Sequence, residues 1–162
     1  MGRILHLARR FFQVAGATPL SPAEQTIAAR LLTPADAPLF WAQATADQRH
    51  ALSAARLVVA ARPGRGDLAR AALLHDVGKR HAPLGLIGRT IASLLELTRL
   101  PAPGRLGRYL DHCNTGAADL ERGGAEPIVV AFARHHHGTR PAGIGEADWR
   151  ALLAADGEGK AR

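Results

Sequence analysis

Apolar residues recur along this chain at helical spacing, and the breaks between them fall at proline and glycine. Over residues 3–15, Ile4, Leu5, Ala8, Phe11, Phe12 and Ala15 share one face, with Arg3, Arg9 and Arg10 off it, which predicts an amphipathic helix. Ser21-Pro22-Ala23-Glu24 reads as a helix start, with a capping serine, proline in the first position and glutamate in the third. Thr33-Pro34-Ala35-Asp36 repeats that logic. A further helix is expected from Thr45 or Asp47 to Ala61, with His50, Ala54, Leu57, Val58 and Ala61 on one side and Pro63-Gly64 as its stop. Asp67 is expected to cap the next helix. That helix carries the fully apolar run Ala71-Ala72-Leu73-Leu74 straight into His75-Asp76-Val77-Gly78-Lys79. Gly78 falls where a helix would close in the left-handed conformation.

Beyond Pro83, residues 86–99 form another apolar-periodic segment. Pro101-Ala102-Pro103-Gly104 breaks the chain there, as a flexible connection or the edge of a lid spanning 82–110. Residues 105–112 and, after a bend, 116–122 read as helical up to Gly123-Gly124. Glu126-Pro127 opens an apolar helix that delivers Arg134 and the triplet His135-His136-His137, with Gly138 and Pro141 as its stop. A last helix runs from about Glu146 to Ala155 and ends at Asp156, and 158–162 form a polar, frayed tail.

No segment alternates in the strand period, so the expected fold is all-α, a compact single-domain helical bundle. Residues 1–44 would pack as N-terminal helices on a core formed by 45–157. The chain has 162 residues, 47% of them hydrophobic but only 4% aromatic, so its core must be built from Leu, Ala, Val and Ile. Cys113 is the sole cysteine, which excludes an intramolecular disulfide and fits a reducing, cytoplasmic setting. No signal-peptide pattern opens the sequence, and no apolar run approaches the ~20 residues of a membrane span. The net charge of +7 comes almost wholly from arginine, with Lys79 and Lys160 the only lysines. That balance accommodates an anionic substrate, nucleic acid or an acidic membrane, which residues 3–15 could contact peripherally. The arginines are dispersed, so charge alone selects none of these.

The chemistry concentrates in His50, His75, Asp76, His112, His135 and Asp156, with His136 close behind; each lies on or at the end of an expected helix. Any one of them alone is most simply a hydrogen-bonded core residue. Together, imidazoles and carboxylates suit Mn, Fe, Zn, Co or Ni, and a helical bundle can converge such distant positions. Asp76, with two oxygens, could bridge two ions.

The ordered pattern His…His-Asp…His…His…Asp resembles the HD-domain superfamily of metal-dependent phosphohydrolases, in particular small stand-alone bacterial members. The matching pieces are Gln48-Arg49-His50, Leu73-Leu74-His75-Asp76-Val77-Gly78-Lys79, His112-Cys113-Asn114-Thr115-Gly116-Ala117, Ala133-Arg134-His135-His136 and Leu152-Leu153-Ala154-Ala155-Asp156. They span about residues 48 to 156. The resemblance implies a first metal on His50, His75, Asp76 and Asp156, and a second bridged by Asp76 and held by His112 with His135 or His136. It implies one or two divalent ions (Mn, Fe, Zn, Co, Ni or Mg) and a metal-bound hydroxide that attacks a phosphate ester. Asp76 and Lys79 would be the catalytic pair, Lys79 contacting phosphate or protonating the leaving group.

Within the triplet, His135 is favoured because it continues the end of the apolar helix. The Gly-Tyr-Pro signature of cyclic-di-GMP phosphodiesterases is missing at Gly138-Thr139-Arg140-Pro141. His81 could line the pocket, His6 is expected on the outside of the first helix, and Cys113 reads as a small buried residue. Arg80, Arg108, Arg134 and Arg140 could each clamp phosphate or simply be solvated. The expected activity is hydrolysis of a small phosphorylated substrate, a nucleotide or cyclic nucleotide. The alternatives are an HD-fold di-iron oxygenase and a non-catalytic metal-binding or sensor module. Nucleic-acid binding ranks below all three.

Overall fold

The computed structural model describes residues 17–98 and 100–157. The amphipathic segment 3–15 with its peripheral membrane contact, His6 and the tail 158–162 lie outside the described residues. All regular structure among the described residues is helical: α1 (Pro22–Leu31), α2 (Asp36–Trp41), α3 (Thr45–Ala61), α4 (Gly66–Leu74), a 3₁₀ turn (Val77–His81), α5 (Leu86–Thr98), α6 (Gly104–Leu110), α7 (His112–Arg122), α8 (Pro127–His135) and α9 (Glu146–Asp156). None of these helices is long and apolar enough to cross a membrane.

Local chemistry sets most of the boundaries. Ser21 and Glu24 close a reciprocal capping box: the Ser21 N–H donates to Glu24 Oε2 at 2.8 Å and the Glu24 N–H to Ser21 Oγ at 3.3 Å. Thr33 and Asp36 make the same pair of bonds, so the chain is pinned before α2 starts. Asp67 does not cap α4; it lies inside the first turn and receives Arg65 Nε at 2.9 Å. Gly124, at φ +70°, closes α7 in the left-handed region, with the Ala125 N–H reaching back to the Leu120 carbonyl at 2.9 Å.

Helix α4 is the axis of the fold. It packs against α1, α2, α3, α8 and α9, so its last turn, residues 71–74, has no solvent face to make polar. Leu68, Ala69, Ala71, Ala72, Leu73 and Leu74 are all buried, which accounts for the unbroken apolar run. Each leucine so buried contributes roughly 1.5–3 kcal/mol. Leu52, Val58, Val129, Phe132 and Leu152 pack around them from α3, α8 and α9. Leu20, Ala28 and Phe40 belong to this same core, so the described part of 1–44 is continuous with it. A second, smaller cluster of Ala82, Ala92 and Tyr109 joins α5 to α6, after the expected break at 100–103.

Gly78 corrects a sequence expectation. It is not left-handed; it sits within the 3₁₀ turn. A Cβ there would lie 2.0 Å from the His112 carbonyl oxygen and 2.7 Å from the Gly116 nitrogen. Glycine is needed because the turn runs backbone to backbone against α7, which draws Asp76 towards His112.

Candidate metal centre

Three histidines are fixed in the same way. His75 Nδ1 donates to the Ala72 carbonyl at 2.8 Å, His112 Nδ1 to Tyr109 at 2.8 Å, and His136 Nδ1 to Ala133 at 3.0 Å. A carbonyl only accepts, so Nδ1 carries the hydrogen in each ring and Nε2 of the neutral ring presents a lone pair. All three Nε2 atoms point inward. His75 Nε2 lies 3.1 Å from Asp156 Oδ1 and 3.4 Å from Asp76 Oδ2. His112 Nε2 lies 3.1 Å and His136 Nε2 3.6 Å from Asp76 Oδ1. His50, on α3 and half-buried, reaches across to donate from Nε2 to Asp156 Oδ1 at 2.8 Å. The Lys79 ammonium, also buried, stands 2.5 Å from Asp76 Oδ2.

Relative exposure is 1% for His75, Asp76 and His136, 4% for His112 and 6% for Asp156, so these groups are withdrawn from bulk water. Burial opposes charge on His75, yet Asp76 and Asp156 beside it push its pKa up to about 10. Burial likewise penalises the Asp76 carboxylate, but Lys79 and His75 hold it well below the usual range. Asp156 is held low against its burial by His75 and His50. Burial and the nearby Lys79 lower His112 and keep its ring neutral.

A proton on His75 and the Lys79 ammonium together match the two carboxylates, yet they do not satisfy every atom. His75 Nε2, Asp76 Oδ1 and Asp156 Oδ2 are buried with no directed hydrogen bond, despite the short approaches. At Asp76 Oδ1 the mismatch is plainest: an acceptor faces the acceptor nitrogen of the neutral His112 ring at 3.1 Å. A divalent cation resolves it, because it binds carboxylate oxygen and imidazole lone pair alike. The groups His50–His75–Asp76, His75–His136–Asp156 and His112–Cys113–His136–His137 each gather one ligand atom per residue within 4.8 Å.

Of the predicted residues, His50, His75, Asp76, Lys79, His112, His136 and Asp156 converge. His135 does not. His136, the residue after α8, turns into the cluster, while His135 is only partly buried and belongs to none of the three groups. A signal for this lay in the sequence, since His136 follows the buried Val129 and Phe132 at seven and four residues and therefore shares their face. Cys113, read as a packing residue, stands 3.6 Å from His112 Nε2. His137, also passed over, packs at a tilt against His136 with ring centroids 4.1 Å apart; burial and the neighbouring His136 and His112 depress its pKa to about 2.

His81 faces elsewhere. Exposed, it bonds Asp119 at 2.6 Å, and Arg80 joins it there at 2.5 Å. Arg134 pairs with Glu121, Arg140 donates to the Ile144 carbonyl, and Arg108 is exposed. No protein-family model matches the chain, no curated protein matches it, and no solved structure matches its fold.

Proposed function

We propose that this protein is a metal-dependent phosphohydrolase of the HD type, acting on a phosphate ester such as a nucleotide or cyclic nucleotide. The observation that supports the reading is the set of inward-pointing Nε2 atoms closing on the Asp76 and Asp156 carboxylates. His50, His75, Asp76 and Asp156 would hold one divalent ion, and Asp76 would share a second with His112 and His136. Such an ion, when bound, lowers the pKa of a water and withdraws charge from phosphoryl oxygens.

The protein's own groups supply the rest. Asp76 spans both halves, Oδ2 toward His75 and Lys79, Oδ1 toward His112 and His136. Lys79 holds a proton 2.5 Å from that carboxylate and can pass it to a departing oxygen or retain it against a phosphate. Phe132 packs 5.8 Å from both His75 and His136 and closes the rear of the site to water.

The test is a panel of phosphomonoesters and phosphodiesters offered to chelator-stripped protein reloaded in turn with Mn, Fe, Zn, Co, Ni and Mg. Metal-stimulated hydrolysis is expected, and Asp76→Ala should lower kcat/KM at least roughly a hundredfold. Absence of turnover across the panel with every ion would remove the hydrolase reading.

A further inference from the structure

We infer that Cys113 is itself a metal ligand, so that the half of the centre built on α7 and α8 is a thiolate site selective for zinc-like ions. This rests on the metal reading above and adds to it a residue and a selectivity. Cys113 Sγ lies 3.6 Å from His112 Nε2 and 3.9 Å from both Nε2 and Nδ1 of His136. Asp76 Oδ1 lies 3.1 and 3.6 Å from the same two nitrogens. Zinc–nitrogen bonds of about 2.0–2.1 Å and zinc–sulfur bonds of about 2.3 Å at tetrahedral angles require ligand atoms roughly 3.3–3.6 Å apart. The two separations from Asp76 and that of Cys113 from His112 lie within a few tenths of an ångström of that range, and a turn of the Cys113 side chain toward the Nε2 edge of His136 would close the set.

The local fold explains how neighbours on one helix can share an ion. Adjacent residues normally diverge by about 100° around a helix. His112 is the first residue of α7, and its ring turns back to the Tyr109 carbonyl, which brings Nε2 alongside the sulfur of the next residue. His136 comes from α8 to complete the triangle, with His137 in the same group of ligand atoms. The sign that a cation belongs there is independent of the cysteine: Asp76 Oδ1 is buried, lacks a directed hydrogen bond and lies against the two imidazole nitrogens of this triangle.

Sulfur changes which ions fit. Thiolate with imidazole favours Zn²⁺, Co²⁺ and Fe²⁺, whereas Mg²⁺ and Mn²⁺ prefer oxygen. The other half, His50, His75, Asp76 and Asp156, offers only nitrogen and oxygen. The two positions are thus chemically unlike and would load different ions from a mixture. On binding, the Cys113 S–H bond breaks, a sulfur–metal bond forms and the proton leaves to solvent; no electron is transferred.

Cobalt titration of the full-length, chelator-stripped protein tests this. A near-ultraviolet thiolate-to-cobalt charge-transfer band should grow in. Zn²⁺ should abolish it and Mg²⁺ in excess should not. In Cys113→Ser the band should vanish while visible cobalt bands from the nitrogen–oxygen position persist. Affinity for the second ion should fall at least the roughly 10- to 100-fold that loss of an outer-shell partner costs. The wild-type spectrum decides the point even if the variant does not fold. Cobalt bound without the band would overturn the assignment of Cys113 and leave the metal centre standing. No cobalt bound at all would overturn both.

Discussion

The bundle of α3, α4, α8 and α9 and the segment of α5 and α6 are built to opposite standards. In the bundle, Leu52, Val58, Leu68, Leu73, Leu74, Val129, Phe132 and Leu152 are sealed from solvent, although α3 turns Leu57 and Val59 outward. In the segment the buried residues among those described are Ala82, Ala92 and Tyr109, and α5 turns Ile87, Ile91 and Leu94 outward. The histidines and aspartates sit at helix ends of the first region and on the turn and α7 that dock against it. The second region reaches the centre through Tyr109, whose ring lies 5.9 Å from Lys79 Nζ and 5.7 Å from Arg89 Cζ. It is clamped to the bundle by Arg89, which donates twice to Asp47 at 2.6 Å. The difference teaches that site geometry and access are separable here: one region is anchored by a large buried core, and the other, with a small core and an outward apolar face, is the one expected to open locally.

The strongest attack on this contrast is Gly78→Ala, which drives a methyl into the His112 carbonyl at the joint of turn and α7. It should cost about 3 kcal/mol, a fall in Tm of roughly 6–12 °C. An unchanged melting curve would show that the joint is not tightly packed. Next comes Asp47→Asn. Arg89 and Asp47 are both largely buried, so weakening their pair should cost about 2 kcal/mol. Hydrogen exchange should speed up in α5 and α6 and stay constant in α4 and α8. Uniform acceleration would mean that the two regions unfold together.

Acidity should then report on the bundle side alone. In chelator-treated protein His75 binds its proton more tightly folded than unfolded, so its contribution is full below 6.5 and fades as pH rises to 10. His112 and His137 are depressed, so theirs is full above 6.5 and lost below it. Asp76 and Asp156 are depressed too, and their contribution disappears as pH falls below 3.8. Stability should therefore peak near pH 6.5, and bound zinc should remove the alkaline decline by replacing the proton. A Tm that keeps rising from pH 6.5 to 10 without metal would contradict the cluster's charge balance. The smallest effect is expected at Leu94→Ser on the outer face of α5, within about 0.5 kcal/mol of wild type.

Much of the bundle was legible because its signals are local. The Ser21 box, the proline that opens α8 and the break before α6 each rest on a few adjacent residues. What stayed hidden depends on distant chain. Gly78 is required by α7, whose Gly116 meets it across thirty-eight residues of sequence, a separation that no local rule reads. The bond from Arg89 to Asp47 is equally remote, so Asp47 looked like an ordinary helix start. The ligand set was legible in kind and order but not in register. The choice between His135 and His136 turns on how α8 ends, and Cys113 gains its neighbour His136 only when α7 and α8 pack together.

Three helices finish at the same spot: His75 caps α4, His136 caps α8 and Asp156 is the last residue of α9. Each helix presents roughly half a negative charge at its carboxyl end. Their summed field favours positive charge at that spot, and in the ion-free protein the Lys79 ammonium and the proton on His75 occupy it beside Asp76 and Asp156. A divalent ion held there would draw on the same field.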